Sequence, residues 1–145
     1  DLSTDDVITP SAIRYSYRLM FEDRSIELMT YTPETLLAEK IQTILARGIT
    51  TTRMRDYYDV YEIVVGNKVS IDKEVLAEAF TATCMKRKTI FGSEQIEKIM
   101  NEISADEGLL NLWDLYKNDN FYVGDIKWTV VCEAVCAYIR NNISK

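Results

Sequence analysis

The sequence contains 145 residues, of which 47% are hydrophobic and 28% are charged, and its formal net charge is −6. This length suits one domain or one part of a slightly larger protein, and the hydrophobic fraction is too high for a disordered chain. The negative charge argues against non-specific nucleic-acid binding through a broadly basic surface, but it leaves room for a local basic pocket. The sequence has no histidine, which excludes histidine-based triads and HExxH zinc hydrolases.

The sequence has three cysteines, an odd number whose spacing is unlike a disulfide framework. This usage indicates a reducing compartment, so we expect a cytoplasmic protein. Cys132 and Cys136 are four residues apart on one face of a predicted helix. In the absence of a CxxC motif, we interpret them as buried thiols rather than metal ligands.

There is no signal peptide and no apolar run of membrane length, so we expect no membrane partner.

Residues 14–31 alternate between apolar and polar side chains with a period of two, which predicts a β-hairpin that turns at residues 22–25. The apolar positions of its first strand are Tyr15, Tyr17, Leu19 and Phe21. Because an isolated hairpin is only marginally stable, this one must pack on helices or join a larger sheet.

A first helix is predicted from Pro33, after a Thr32 cap, to a stop at Gly48. Lys40 falls inside its apolar arc, and Arg47 follows two turns later on the same side. A lysine in an apolar arc either snorkels from the edge with its stem packed or lines a cleft. The arc consists of Leu36, Leu37, Ile41, Ile44 and Leu45.

A second helix is predicted to start near Arg53, with its tyrosines in the core rather than forming a stacking platform. Asp56 lies at the border of the apolar face, where a first-turn carboxylate is also favoured by the helix dipole alone. Asp59 lies farther out and forms an ordinary surface pair with Arg55, four residues earlier.

Four more helices follow, so the sequence predicts an α+β, predominantly helical fold: a short β-hairpin followed by a bundle of about six helices. Asp72 is expected to cap the third helix, and Gly92-Ser93 to start the fourth. A capping box of Ser104 and Glu107 is expected to start the fifth. Asp125 is expected to cap the last. The cations at 86–88 suit the dipole at a helix end, and we interpret them as a solvated terminus rather than a phosphate site.

The stretches AEKIQTILARG and RMRDYYDVYEI resemble the paired C-terminal motifs of the AbiEii/AbiGii toxin family of nucleotidyltransferases. Those motifs read roughly A-E-K-[LI]-x-A-[LI]-x-x-R and R-D-x-Y-D-[LIV], and Thr43 stands where the family usually has alanine. Residues 1–10 also resemble the family stretch D-[ILV]-[ST]-x-x-D-x-[IV]-x-P. The matching motif positions are Ala38, Glu39, Lys40, Ile41, Arg47, Arg55, Asp56, Tyr58, Asp59 and Val60.

The resemblance implies the toxin half of a bacterial abortive-infection toxin–antitoxin pair, active in phage defence. Such an enzyme transfers a nucleotide from a nucleoside triphosphate, with GTP favoured in the family, to an acceptor for which transfer RNA is a candidate. A cognate antitoxin is the further implied partner.

By the same resemblance, Lys40 would hold a triphosphate oxygen, and Arg47 and Arg55 would screen phosphate charge. Asp56 would orient the attacking hydroxyl or hold the lysine in place. Asp1 would be a metal-binding carboxylate for Mg²⁺, with Asp6 as the family's second acidic residue. Without the resemblance, the same two aspartates are an acidic chain end.

The family's first motif, a Gly-Ser followed by a D-x-D pair, is absent from these residues. We therefore expect this chain to be the C-terminal part of a longer enzyme and to be inactive alone. Residues 1–31 would be the remnant of the nucleotidyltransferase sheet, and residues 32–145 the helical domain. The competing interpretation is a non-catalytic helical module whose acidic surface binds a protein, in which Lys40 and Asp56 are structural.

Overall fold

The computed structural model of the chain describes residues 8–18, 24–66 and 69–143, so Asp1 and Asp6 lie outside the described residues. The architecture is α+β and predominantly helical, as predicted. Its strands are β1 (Ile13–Arg18) and β2 (Ser25–Thr30). Its α-helices are α1 (Pro33–Arg47), α2 (Met54–Val65), α3 (Lys73–Lys86), α4 (Ser93–Ala105), α5 (Glu107–Asp119) and α6 (Trp128–Asn142), with 3₁₀ turns at Gly48–Thr50 and Phe121–Val123.

The two strands form the predicted hairpin, pairing antiparallel with Ile13 opposite Thr30 and Arg18 opposite Ser25. Residues 22 and 23 of the predicted turn lie outside the described ranges, and Ser25 already begins β2. Several apolar side chains of the hairpin remain exposed, namely Ile13, Tyr15, Ile26 and Met29. The described helices therefore do not cover this hairpin.

The start of α1 is held by a cluster of threonine hydroxyls. Thr32 caps the helix as predicted, accepting a bond from the Thr35 amide at 3.2 Å. The Thr35 hydroxyl accepts from the Thr9 amide at 3.1 Å and donates to the Thr9 carbonyl at 3.0 Å. These bonds satisfy backbone groups that a helix start leaves open, and they fix residue 9 against α1.

The core lies where the helices meet. α1 packs between α2 and α3, and α2 also packs against α5 and α6, while α4 packs on α6. Trp113 is fully buried and donates its indole N–H to the Ile126 carbonyl at 2.9 Å. Cys132 and Cys136 are buried, as predicted, with their sulfurs 3.9 Å apart. Within the described ranges, every helix is too short or too polar to cross a bilayer.

Two predicted helix starts are wrong. Ser104 belongs to α4 and donates to the Met100 carbonyl at 2.8 Å, while Asp106 caps α5 by accepting from the Leu109 amide at 2.9 Å. The last helix begins at Trp128 without a side-chain cap, three residues after Asp125. Asp106 displaces Ser104 because α4 continues through Ala105 and the chain turns at Asp106. The predicted cap by Asp72 on α3 is confirmed.

Candidate functional site

The packing of α1 against α2 brings Lys40 onto two carboxylates. Its ammonium nitrogen lies 2.6 Å from Asp59 Oδ2 and 3.4 Å from Asp56 Oδ1. Asp56 lies in the first turn of α2 and Asp59 one turn later, so both can face the same point on α1. The structure therefore joins three of the residues that the sequence motifs contain.

Asp56 is the most deeply buried member of this cluster, with a side chain only 3% exposed. Arg53 donates from Nε to Asp56 Oδ2 at 2.6 Å and from Nη2 to Oδ1 at 3.3 Å. Hydrogen bonding to Asp56, reinforced by the negative charge of its carboxylate, raises the pKa of Arg53. Both oxygens of Asp56 thus accept bonds from cations, as a buried carboxylate requires.

Asp59 is more than the surface partner of Arg55 that the sequence predicted. The Arg55 pair exists, with Nε 3.7 Å from Asp59 Oδ2, but the same oxygen is much closer to Lys40. The Asp59 side chain is 27% exposed and that of Arg55 is 75% exposed. The carboxylate of Asp59 therefore joins the buried lysine to a solvent-facing arginine.

Lys40 forms part of the wall of a groove of about 680 Å³. Its side chain is only 15% exposed. Tyr116 closes one side, where burial and a 3.0 Å hydrogen bond with Tyr122 raise the pKa of its phenol. The lining residues are Leu36, Lys40, Thr52, Arg53, Met54, Arg55, Asp56, Asp59, Glu62, Ile63 and Tyr116.

The groove is lined by three cations and three carboxylates, namely Lys40, Arg53, Arg55, Asp56, Asp59 and Glu62. A lysine ammonium has three N–H donors, and two of those of Lys40 are directed at Asp56 and Asp59. Arg55 adds a largely exposed positive charge beside Asp59.

The structure separates Arg47 from this groove. Arg47 is exposed and lines a different depression together with Leu45, Gly48 and Phe91. Arg53, by contrast, lies outside the family motifs, although its position three residues before Asp56 is the spacing of a helical ion pair. Tyr116 comes from α5, and no local signal links it to the motifs.

One comparison with known protein families found a match. A family model described as nucleotidyl transferase AbiEii toxin, type IV toxin–antitoxin system, matches residues 1–133. This chain belongs to the AbiEii toxin family. The match covers most of this chain, including both motifs and the cluster around Lys40. Comparisons with curated proteins and with solved structures found no match for it.

Family membership makes this a chain of the nucleotidyltransferase toxins of type IV toxin–antitoxin systems and implies an antitoxin partner. Nucleotidyltransferases generally use a divalent metal. Among the described residues of the AbiEii chain, no group of three metal-ligating side chains comes together. Asp56 and Asp59 are occupied by Arg53 and Lys40. These two carboxylates therefore do not fit a magnesium ion as they stand, and the predicted ligand Asp1 lies outside the described residues.

Proposed function

We propose that this chain is the C-terminal part of a nucleotidyltransferase that moves a nucleotide from a nucleoside triphosphate to an acceptor. GTP is the proposed donor and transfer RNA the proposed acceptor, and both rest on the family resemblance. The observation that carries the proposal is the placement of Lys40 between Asp56 and Asp59 in the wall of a groove.

In this proposal, Lys40 binds a triphosphate oxygen as a point charge. Nucleotide transfer depends mainly on positioning and on neutralising phosphate charge, so a fixed cation in a partly buried site is effective. Arg55 screens phosphate charge from the rim. Arg47 lies outside the groove and has no part in this step.

Asp56 acts in the proposal as the residue that holds the cations. Both of its oxygens already accept bonds from Arg53 and Lys40, so orienting Lys40 suits its geometry better than taking a proton from an acceptor hydroxyl. Asp59 gives way to the phosphate when the nucleotide binds.

The proposal needs a longer protein. Residues 1–31 would contribute to a nucleotidyltransferase sheet and residues 32–145 form the helical domain, with Mg²⁺ held by carboxylates that include Asp1. The exposed apolar residues of the hairpin support this division, because a sheet partner would cover them. The proposed location is the cytoplasm, where the three free cysteines stay reduced. Abortive infection of phage-infected cells is the proposed biological role.

The test uses the purified full gene product, α-labelled GTP, Mg²⁺ and bulk transfer RNA. Lys40→Met keeps an unbranched stem and removes the charge, and we expect label transfer to fall roughly 100-fold or more. Lys127→Met, which removes an exposed lysine outside the groove, should leave transfer unchanged. Urea unfolding of both variants distinguishes a loss of transfer activity from a loss of stability.

Transfer by Lys40→Met at the wild-type rate, in a folded protein, would contradict the role of Lys40. No transfer by the wild-type protein with any nucleotide would favour the non-catalytic helical module. Residues 1–145 alone should show no transfer. Label transfer by that chain would contradict the proposal that it is only the C-terminal part of the enzyme.

A further inference from the structure

Arg53 immediately precedes α2, and hydrogen bonds fix its backbone on both sides. Its amide donates to the Thr51 hydroxyl at 3.1 Å, and its carbonyl accepts from the Asp56 amide at 3.0 Å. Thr51 is itself only 3% exposed. The arginine therefore reaches Asp56 from within the same segment, three residues away, whereas Lys40 reaches it across the packing of α1 on α2.

The guanidinium of Arg53 contacts both carboxylate oxygens of Asp56. Nε lies 2.6 Å from Oδ2 and Nη2 lies 3.3 Å from Oδ1, whereas the Lys40 ammonium bonds only Oδ1, at 3.4 Å. Lys40 therefore shares an oxygen that already accepts from Arg53. A planar guanidinium fits a carboxylate with two bonds at once, which a lysine ammonium does not reproduce. The main counter-ion of Asp56 is thus the local arginine rather than the lysine of α1.

As a consequence, the short contact of Lys40 falls on the more exposed carboxylate. Its ammonium nitrogen lies 2.6 Å from Asp59, whose side chain is 27% exposed, against 3% for Asp56. An ion pair that solvent reaches contributes little to stability, whereas breaking a buried pair leaves an uncompensated charge. Release of Lys40 from its partners therefore costs little as long as Arg53 compensates Asp56.

We propose that Arg53 is a positioning residue: by compensating Asp56, it keeps Lys40 exchangeable at the wall of the groove. Without Arg53, Lys40 becomes the counter-ion of a buried carboxylate and is held there. The inference deepens the proposed function and rests on it, because it assumes that Lys40 exchanges Asp59 for a nucleotide phosphate. The side chain of Arg53 is 55% exposed, so direct contact with the nucleotide is the competing role for it.

The first measurement follows the lysine itself and uses no nucleotide. The full gene product is acylated at neutral pH with a water-soluble amine reagent, and peptide mass spectrometry compares the rate at Lys40 with that at the exposed Lys127. In Arg53→Gln we expect Lys40 to be labelled roughly tenfold more slowly, the factor that one hydrogen bond to a charged group is worth. Unfolding would expose Lys40 and speed its labelling, so a loss of structure cannot produce this result.

Three further variants sharpen this measurement. Arg140→Gln is the matched control, because Arg140 forms a similar pair outside the groove, with Nε 2.9 Å from Glu97 Oε2, and it should leave Lys40 labelling unchanged. Arg53→Lys restores the charge without the planar fork, so its rate should lie closer to wild type than that of Arg53→Gln. In an Asp56→Asn background, Arg53→Gln should have no further effect, because the carboxylate through which Arg53 acts is absent. If Asp56→Asn does not fold, the comparison with Arg140→Gln and Arg53→Lys decides.

Calorimetry of GTP binding then tests the step that rests on the proposed function. Arg53→Gln should weaken GTP binding roughly tenfold in the otherwise wild-type protein and leave it unchanged in the Asp56→Asn background. An equal loss of affinity in both backgrounds would show that Arg53 contacts the nucleotide itself, and it would overturn the positioning role. Labelling of Lys40 at an unchanged or faster rate in Arg53→Gln would overturn it as well.

The two measurements keep this inference and the proposed function apart. Slower labelling of Lys40 in Arg53→Gln, in a protein that never binds GTP, would contradict the proposed nucleotide donor and leave the effect of Arg53 on Lys40 supported. GTP binding by the wild type, with Lys40 labelling unaffected by Arg53→Gln, would overturn the inference and leave the proposed donor intact.

Discussion

The ammonium nitrogen of Lys40 lies 2.6 Å from Oδ2 of Asp59, across a separation of 19 residues and between two helices. Asp56, which is more buried, is the longer contact at 3.4 Å. The closest partner of the lysine is therefore the more exposed carboxylate, while Arg53 bonds the buried one at 2.6 Å. This division predicts different consequences for the two aspartates.

Asp56→Asn should lower the free energy of unfolding by roughly 2 kcal/mol, because the buried Asp56 side chain loses its charge-assisted hydrogen bonds from Arg53 and Lys40. Asp59→Asn should lower it by about 1 kcal/mol or less, because a partly exposed pair is screened by solvent. Urea unfolding at neutral pH measures both. Equal losses would show that the burial of Asp56 does not decide its contribution.

Tyr57→Phe should be neutral or stabilising by up to roughly 1 kcal/mol at neutral pH. Within the described residues, the Tyr57 hydroxyl is buried without a hydrogen-bond partner, while its ring packs edge-on against Trp128 at 5.1 Å. Removing an unsatisfied buried hydroxyl ends its desolvation cost and keeps the ring contact. A loss above about 1 kcal/mol would reveal a partner for the hydroxyl, such as a buried water.

The same variant should alter stability in alkali. Burial raises the pKa of Tyr57 far above its ordinary value. The phenol therefore keeps its proton in the native state, whereas in the unfolded chain it ionises at about pH 10. The native state then binds more protons, and stability falls as the pH rises above that value. Unfolding free energies of wild type and Tyr57→Phe, measured from neutral pH upward, should diverge above about pH 10 in favour of the variant.

Asp106→Ala should destabilise the protein by about 1 kcal/mol, because Asp106 accepts the bond from the Leu109 amide that caps α5. Ser104→Ala should change stability by less than about 0.5 kcal/mol, since Ser104 bonds a carbonyl within α4 and alanine favours a helix. Thermal unfolding of the two variants compares them directly. The reverse order would restore the capping box that the sequence suggested.

Gly48→Ala should destabilise the protein by roughly 1–3 kcal/mol, because Gly48 adopts φ 50° and ψ −132°, a region that side chains disfavour. Gly92→Ala is the matched control, since Gly92 has φ −81° and open space where a Cβ would be. It should be nearly neutral. Chemical denaturation of both variants tests whether backbone conformation, rather than the loss of glycine itself, sets the cost.

Local chemistry explains which helix boundaries could be predicted. Thr32, Pro33 and Gly48 bound α1 through interactions within a few residues of each end, and Asp72 caps α3 in the same way. The start of α6 at Trp128 has no side-chain cap, so no residue signalled it. Trp113 of α5 donates to the Ile126 carbonyl just before that start, a contact between distant residues that local spacing does not reveal.

By itself, the sequence determined the helical periodicity, the hairpin, the family motifs and the unusual position of Lys40, because these depend on spacing along one segment. Only the tertiary structure decided that Lys40 meets Asp59 more closely than Asp56, and that Arg53 rather than Arg47 completes the cluster. Those outcomes depend on how α1 packs against α2, which sets distances of a few ångströms between side chains far apart in sequence. Spacing along a chain fixes the face of a helix, whereas packing fixes which partner that face meets.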